Sequence, residues 1–209
     1  SQDSAGNYPL MYAIRGGDHD DCIRTLLCHG APEEVSGAPQ GPRSDRPAHL
    51  AARLGRENCL RAIAELCQSA KCLEAKGERG ETPAYEAARR GHVNVVRCLY
   101  ELGADATLSM ARADGRTPAH AAALSCDSDI IDCLCQLGCQ AQLLEQDGQG
   151  HTPAHLVFTM PSAADDLHLG IIHDLGTHKF GHYHYRLQNF VTALIKGGAA
   201  SSFVTTDNR

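Results

Sequence analysis

Histidine and cysteine are the residues of this chain with the most chemistry to offer, 12 and 10 of them in 209 residues. Five histidines, His168, His173, His178, His182 and His184, share one stretch with Asp165, Asp166 and Asp174. Imidazoles and carboxylates bind divalent metals when three or four are brought together. Spacings of five, five, four and two residues match no tight zinc signature, and Gly176 and Gly181 argue against one helix that could gather the ligands. A polar surface loop or a contact pad for another domain is the favoured reading, with a metal site as its rival. Cys133, Cys135 and Cys139 are also close in sequence. Residues two apart on a helix point to different sides, so core and turn positions are expected there rather than a metal cluster. No P-loop, GxGxxG, HExxH, GxSxG or EF-hand pattern occurs. The chain is expected to be non-catalytic and to need no cofactor.

The elements that position these residues follow from an internal repeat. Five segments begin with a proline at 9, 47, 83, 118 and 153, spaced 38, 36, 35 and 35 residues apart. They read Pro9-Leu10-Met11-Tyr12-Ala13, Pro47-Ala48-His49-Leu50-Ala51, Pro83-Ala84-Tyr85-Glu86-Ala87, Pro118-Ala119-His120-Ala121-Ala122 and Pro153-Ala154-His155-Leu156-Val157. A second apolar segment follows and closes on Gly30, Gly103, Gly138 or Gly198, whereas unit two has Cys67 at that place. Proline at the first helical position costs no hydrogen bond and pre-sets φ, so each Pro predicts a helix start. Ala pairs let a neighbouring helix come close, and Gly17, Gly55 and Gly91 end the first helices. Each unit is therefore a pair of helices too short to persist alone. Stacking the units buries their apolar faces, worth roughly 1.5–3 kcal/mol for each large aliphatic side chain fully buried. The fold expected is all-α.

Taken together, the Thr-Pro starts, the His or aromatic two residues on, the Ala pairs and the Gly-Ala closures resemble the ankyrin-repeat family, across about four fifths of the chain. Met11 and Tyr85 stand where that family usually has His. The resemblance implies a solenoid of helix-turn-helix units with hairpin-like turns, the units running over 3–40, 41–76, 77–111, 112–146 and 147–200. It also implies that partners bind a concave face formed by the turn tips and the outward ends of the first helices. From Pro to closing Gly is 20 residues in units three and four but 45 in unit five. The His-rich stretch, 161–185, is therefore read as an insertion. Neither end has the polar character of a cap, and 201–209 reads as the start of a further turn. A segment of a longer protein is the expectation.

On that frame, Arg15, Arg53 and Arg89 occupy one place in units one to three, and Arg90 follows directly. Units four and five carry no arginine there. Turn tips add Arg43, Arg79, Arg112 and Arg116. Stacked units predict a basic ladder on a chain of net charge −6. Arginine grips carboxylate and phosphate bidentately, which makes an acidic or phosphorylated peptide the natural ligand. The rival reading is arginine as a soluble helix former at exposed positions. The outer row, with Arg24, Arg61, Arg97 and Asp132, shows no readable sign pattern. The acidic balance argues against nucleic acid as a partner, and no apolar run reaches the roughly 18 residues of a membrane span. Cysteines among Leu, Ile and Val suggest a reducing, cytoplasmic setting rather than a disulfide framework. The function expected is a protein-interaction module. The alternative is a regulatory or targeting segment of a larger enzyme, channel or cytoskeletal protein.

Overall fold

Each of the five repeat prolines opens a helix. These first helices are α1 (Pro9–Gly16), α2 (Pro47–Arg53), α4 (Pro83–Arg90), α7 (Pro118–Ser125) and α9 (Pro153–Phe158). The computed structural model describes residues 8–17, 24–26, 29, 46–67, 70–158 and 189–198. Second helices are α3 (Glu57–Cys67), α5 (Val93–Glu101), α8 (Ser128–Gln136) and α10 (189–196). A short α6 (Ala106–Ser109) and two 3-10 turns, Ala70–Cys72 and Gln140–Leu143, carry the chain from second helices toward the next unit. None of the described residues is in a strand. The closing Gly30 of unit one and the whole 161–185 insertion, with its five histidines, lie outside the described residues.

The helices stack in two rows. First helices pack in the order α1, α2, α4, α7, α9, and second helices in the order α3, α5, α8. The pattern of burial repeats with the register. Cys59-Leu60, Val95-Val96 and Ile130-Ile131 occupy equivalent places, and all are at most 1 % exposed. Ala51-Ala52, Ala87-Ala88 and Ala122-Ala123 are likewise buried, so the inner row packs through small side chains. Leu73, Leu108 and Leu143 close the bottom of each layer.

Adjacent turns are joined by backbone. Ala113 N–H donates to Arg79 O at 3.1 Å, and one unit later Gly148 N–H donates to Asp114 O at 2.7 Å. This approach explains two glycines. Gly80 and Gly115 have φ of +80° and +81°, and an added Cβ would lie 2.9 Å from Ala113 N and 2.8 Å from Gly148 N. Only glycine satisfies both the left-handed backbone and the contact. Cys126 adopts φ 50° at the place that Gly91 fills in the preceding unit, a conformation a side chain tolerates only at a cost of roughly 1–2 kcal/mol.

Two sequence expectations are corrected here. Cys67 and Cys72 form a disulfide, so not every cysteine behaves as a small hydrophobe. Cys67, the last residue of α3, stands where other units have the closing glycine, and Cys72 ends the 3-10 segment that follows. Cys59, Cys98 and Cys133 are buried and in no disulfide, as their Leu-Ile-Val surroundings predict, and Cys126 is buried as well. The outer row also has a readable pattern after all. Arg24 pairs with Glu65 at 2.9 Å, Arg61 with Glu101 at 2.7 Å, and Arg97 Nη2 donates to Gln136 Oε1 at 2.6 Å. Each arginine reaches one layer forward, 39 to 41 residues on.

Candidate protein-interaction surface

The first helices are fixed to the turns by their own side chains. Thr82 Oγ1 accepts from Tyr85 N–H at 3.1 Å and donates to Thr107 O, while Tyr8 and Arg46 provide no side-chain cap in units one and two. In unit four His120 does this work with both nitrogens. Its Nδ1 accepts from Thr117 N–H at 3.2 Å and lies 2.9 Å from Thr117 Oγ1, and its Nε2 donates to His151 O at 3.0 Å. His49 Nε2 makes the same forward bond to Glu81 O at 3.0 Å. Burial lowers the His120 pKa below its ordinary value, against the pull of the His151 carbonyl and Asp147. The two bonds tie unit two to unit three and unit four to unit five.

Between them the ladder changes chemistry, because Tyr85 replaces histidine. Its compensation is Arg112, whose guanidinium lies over the Tyr85 ring at 5.7 Å, with Glu81 and Asp114 at 3.9 and 3.8 Å. Arg112 stands six residues before its proline, where the next unit has Asp147. Asp147 is buried and accepts from the Gln149 and His151 amides, both at 2.9 Å, and from Arg116 Nε at 3.3 Å. Burial would raise its pKa, but these donors outweigh it and hold the carboxyl below the ordinary range.

The arginines named from sequence therefore divide. Arg112 and Arg116 are half-buried and committed to internal partners, so they serve the turns rather than the open surface. Arg43 lies outside the described residues. Arg15, Arg53 and Arg89 are each the seventh residue of a first helix, and the stacking of α1 on α2 and α2 on α4 brings them into one row. Leu124 ends that row in unit four. Arg15 lies 5.7 Å from the centre of the Tyr12 ring, itself 54 % exposed. Arg90 is exposed next to Arg89, and Arg79 is exposed on a turn tip. Partial burial, then the charges of Arg89 and Arg53, lower the Arg90 pKa against the opposing pull of Glu86. Arg90 thus feels the positive charges of Arg89 and Arg53 as well as the Glu86 carboxylate.

In the sequence Tyr12 counted only, with Met11 and Ile14, toward the apolar character of the first helix; Met11 and Ile14 are buried and Tyr12 is exposed. The outer-row pairs were recoverable from register alone, because each Arg is followed by an acid or amide four residues past its own equivalent in the next unit. Among the described residues no cluster of three His, Cys, Asp or Glu could hold a metal, and no helix is long and apolar enough to cross a membrane.

This combination of paired helices stacked in register, turns bonded edge to edge and an open row of first-helix side chains defines a helical-repeat scaffold. Family models for ankyrin repeats match residues 5–36, 36–110 and 87–135. The chain belongs to the ankyrin-repeat family, whose domains are in general protein-protein interaction modules without catalysis of their own. No curated protein matches it.

Proposed function

We propose that this chain is a non-catalytic module that holds an acidic or phosphorylated peptide along its first-helix row. Arg53, Arg89 and Arg90 grip the peptide, with Arg15 and Tyr12 at one end and Arg79 at the turn tips. What supports this reading is register: Arg53 and Arg89 are the seventh residues of the stacked helices α2 and α4, with Arg90 next to Arg89, on a net-acidic chain. A row of cationic side chains attracts an anionic ligand and sets its register. Helices already packed in register order the surface before binding, so little ordering entropy is lost.

The test is fluorescence anisotropy with labelled peptides rich in Asp and Glu, with and without phosphoserine, against wild type and the double variant Arg53→Glu with Arg89→Glu. Wild type is expected to bind more tightly at low salt, and the variant to lose at least about tenfold in affinity at an unchanged melting temperature. Equal affinity of the two proteins for every acidic peptide contradicts the proposal.

A further inference from the structure

A second recognition point lies away from the first-helix row, where the chain leaves the second helices of units three and four. A groove of about 380 Å³ there is lined by, among others, Tyr100, Asp105, Leu108, Cys139, Gln142 and Glu145. Its charge is one-sided: Asp105 and Glu145 are exposed, neither forms an ion pair with a described residue, and no Lys or Arg lines the groove. Gln142 is the unexpected residue. It is 2 % exposed, its Nε2 donates to Leu108 O, and its Oε1 is buried without a hydrogen-bond partner. An unmet buried acceptor costs about 1–3 kcal/mol, so a donor entering this wall is favoured. Tyr100, 46 % exposed at the rim, offers an aromatic face. Burial keeps the Cys139 thiol protonated, so the groove's negative charge rests on the two carboxylates.

We propose that this groove receives the arginine side chain of a partner protein. A guanidinium matches each feature. It carries positive charge for Asp105 and Glu145, a flat face for Tyr100, several N–H donors of which one serves Gln142 Oε1, and an aliphatic stem for the partly exposed Leu137 that also lines the groove. This site is independent of the acidic-peptide proposal, since it uses other helices and the opposite charge.

The experiment follows backbone amide shifts by NMR during titration with Ac-Gly-Arg-Gly-amide, the same peptide with citrulline, and free arginine. Citrulline keeps the shape and loses the charge. The arginine peptide is expected to shift Gly138, Cys139, Gln142 and Glu145 with a dissociation constant on the order of a millimolar, and the citrulline peptide to bind about tenfold or more weakly. Asp105→Asn and Glu145→Gln, at exposed positions that leave the fold intact, are each expected to weaken the arginine peptide about threefold. Gln142→Met tests the acceptor and is expected to do the same. If it unfolds, as loss of the Leu108 bond allows, the two carboxylate variants decide. Equal binding of arginine and citrulline peptides, shifts elsewhere only, or indifference to both carboxylate variants overturns the proposal. Free arginine binding as tightly as the peptide assigns the groove to a metabolite and overturns the protein source.

Discussion

Replacing His120 by Phe keeps a ring in the site and removes both nitrogens. Three partners then lose their match: the Thr117 amide, the Thr117 hydroxyl and the His151 carbonyl. The hydroxyl can rotate to another acceptor, which leaves two orphaned groups at about 1–3 kcal/mol each. The His151 carbonyl is only part-buried, so the total is about 2–4 kcal/mol, or roughly 5–15 °C in melting temperature for a chain of this size. The cost depends on pH in a definite direction. Burial places the folded His120 pKa below the ordinary 6.5. Above 6.5 both folded and unfolded chains hold it neutral, and its full contribution is present. Below 6.5 the unfolded chain takes up a proton that the folded site resists, and the contribution declines until the folded pKa is passed. Urea unfolding of both proteins at pH 8, 7, 6 and 5 should therefore show the largest difference at pH 8 and a shrinking one on acidification. A difference under about 0.5 kcal/mol at pH 8, or one that grows as pH falls, refutes the assignment of both nitrogens.

Three further outcomes follow from other contacts. Gly115→Ala should lower stability by about 1–3 kcal/mol in chemical denaturation, because a Cβ there meets the Gly148 backbone and φ is +81°; a neutral effect would deny the close approach of the turns. Arg61→Ala breaks the pairs with Glu57 and Glu101, yet all three side chains are at least a third exposed, so the loss should stay below about 1 kcal/mol and vanish in high salt. The Cys98 thiol, pushed up to about 11 by burial, should resist iodoacetamide at pH 8 in the folded protein and react in urea, as mass spectrometry would read; rapid labelling of the folded form would contradict its place in the core.

How much of this was legible in the sequence depends on how locally each feature is encoded. Pro83, Pro118 and Pro153 announce helix starts because proline's own ring sets φ, and all five repeat prolines fall at that position. Apolar spacing likewise gave the buried faces of the second helices. The arginine ladder was only half legible. Composition places Arg112 and Arg116 on turn tips, but their fate depends on residues one layer away, Tyr85 and Asp147, that no local pattern connects to them. The two departures from the repeat, Tyr85 and Arg112, become intelligible only when seen to meet. The Cys67–Cys72 disulfide was hidden because Cys67 reads simply as a missing glycine. The Gln142 groove has no sequence signature, since an unmet acceptor is a property of its surroundings.

The measurement that bears most directly on the account is amide hydrogen exchange at Ala113 and Gly148 in the folded protein. Both N–H groups lie in polar turns, where a free peptide would exchange at once, yet each donates across layers to the turn before it. Stacked units predict that these two amides are protected by several orders of magnitude and lose that protection together with the core of α4 and α7. Exchange at free-peptide rates while α4 and α7 remain protected would mean that the turns are not joined, and the continuous surface on which partner binding depends would not exist.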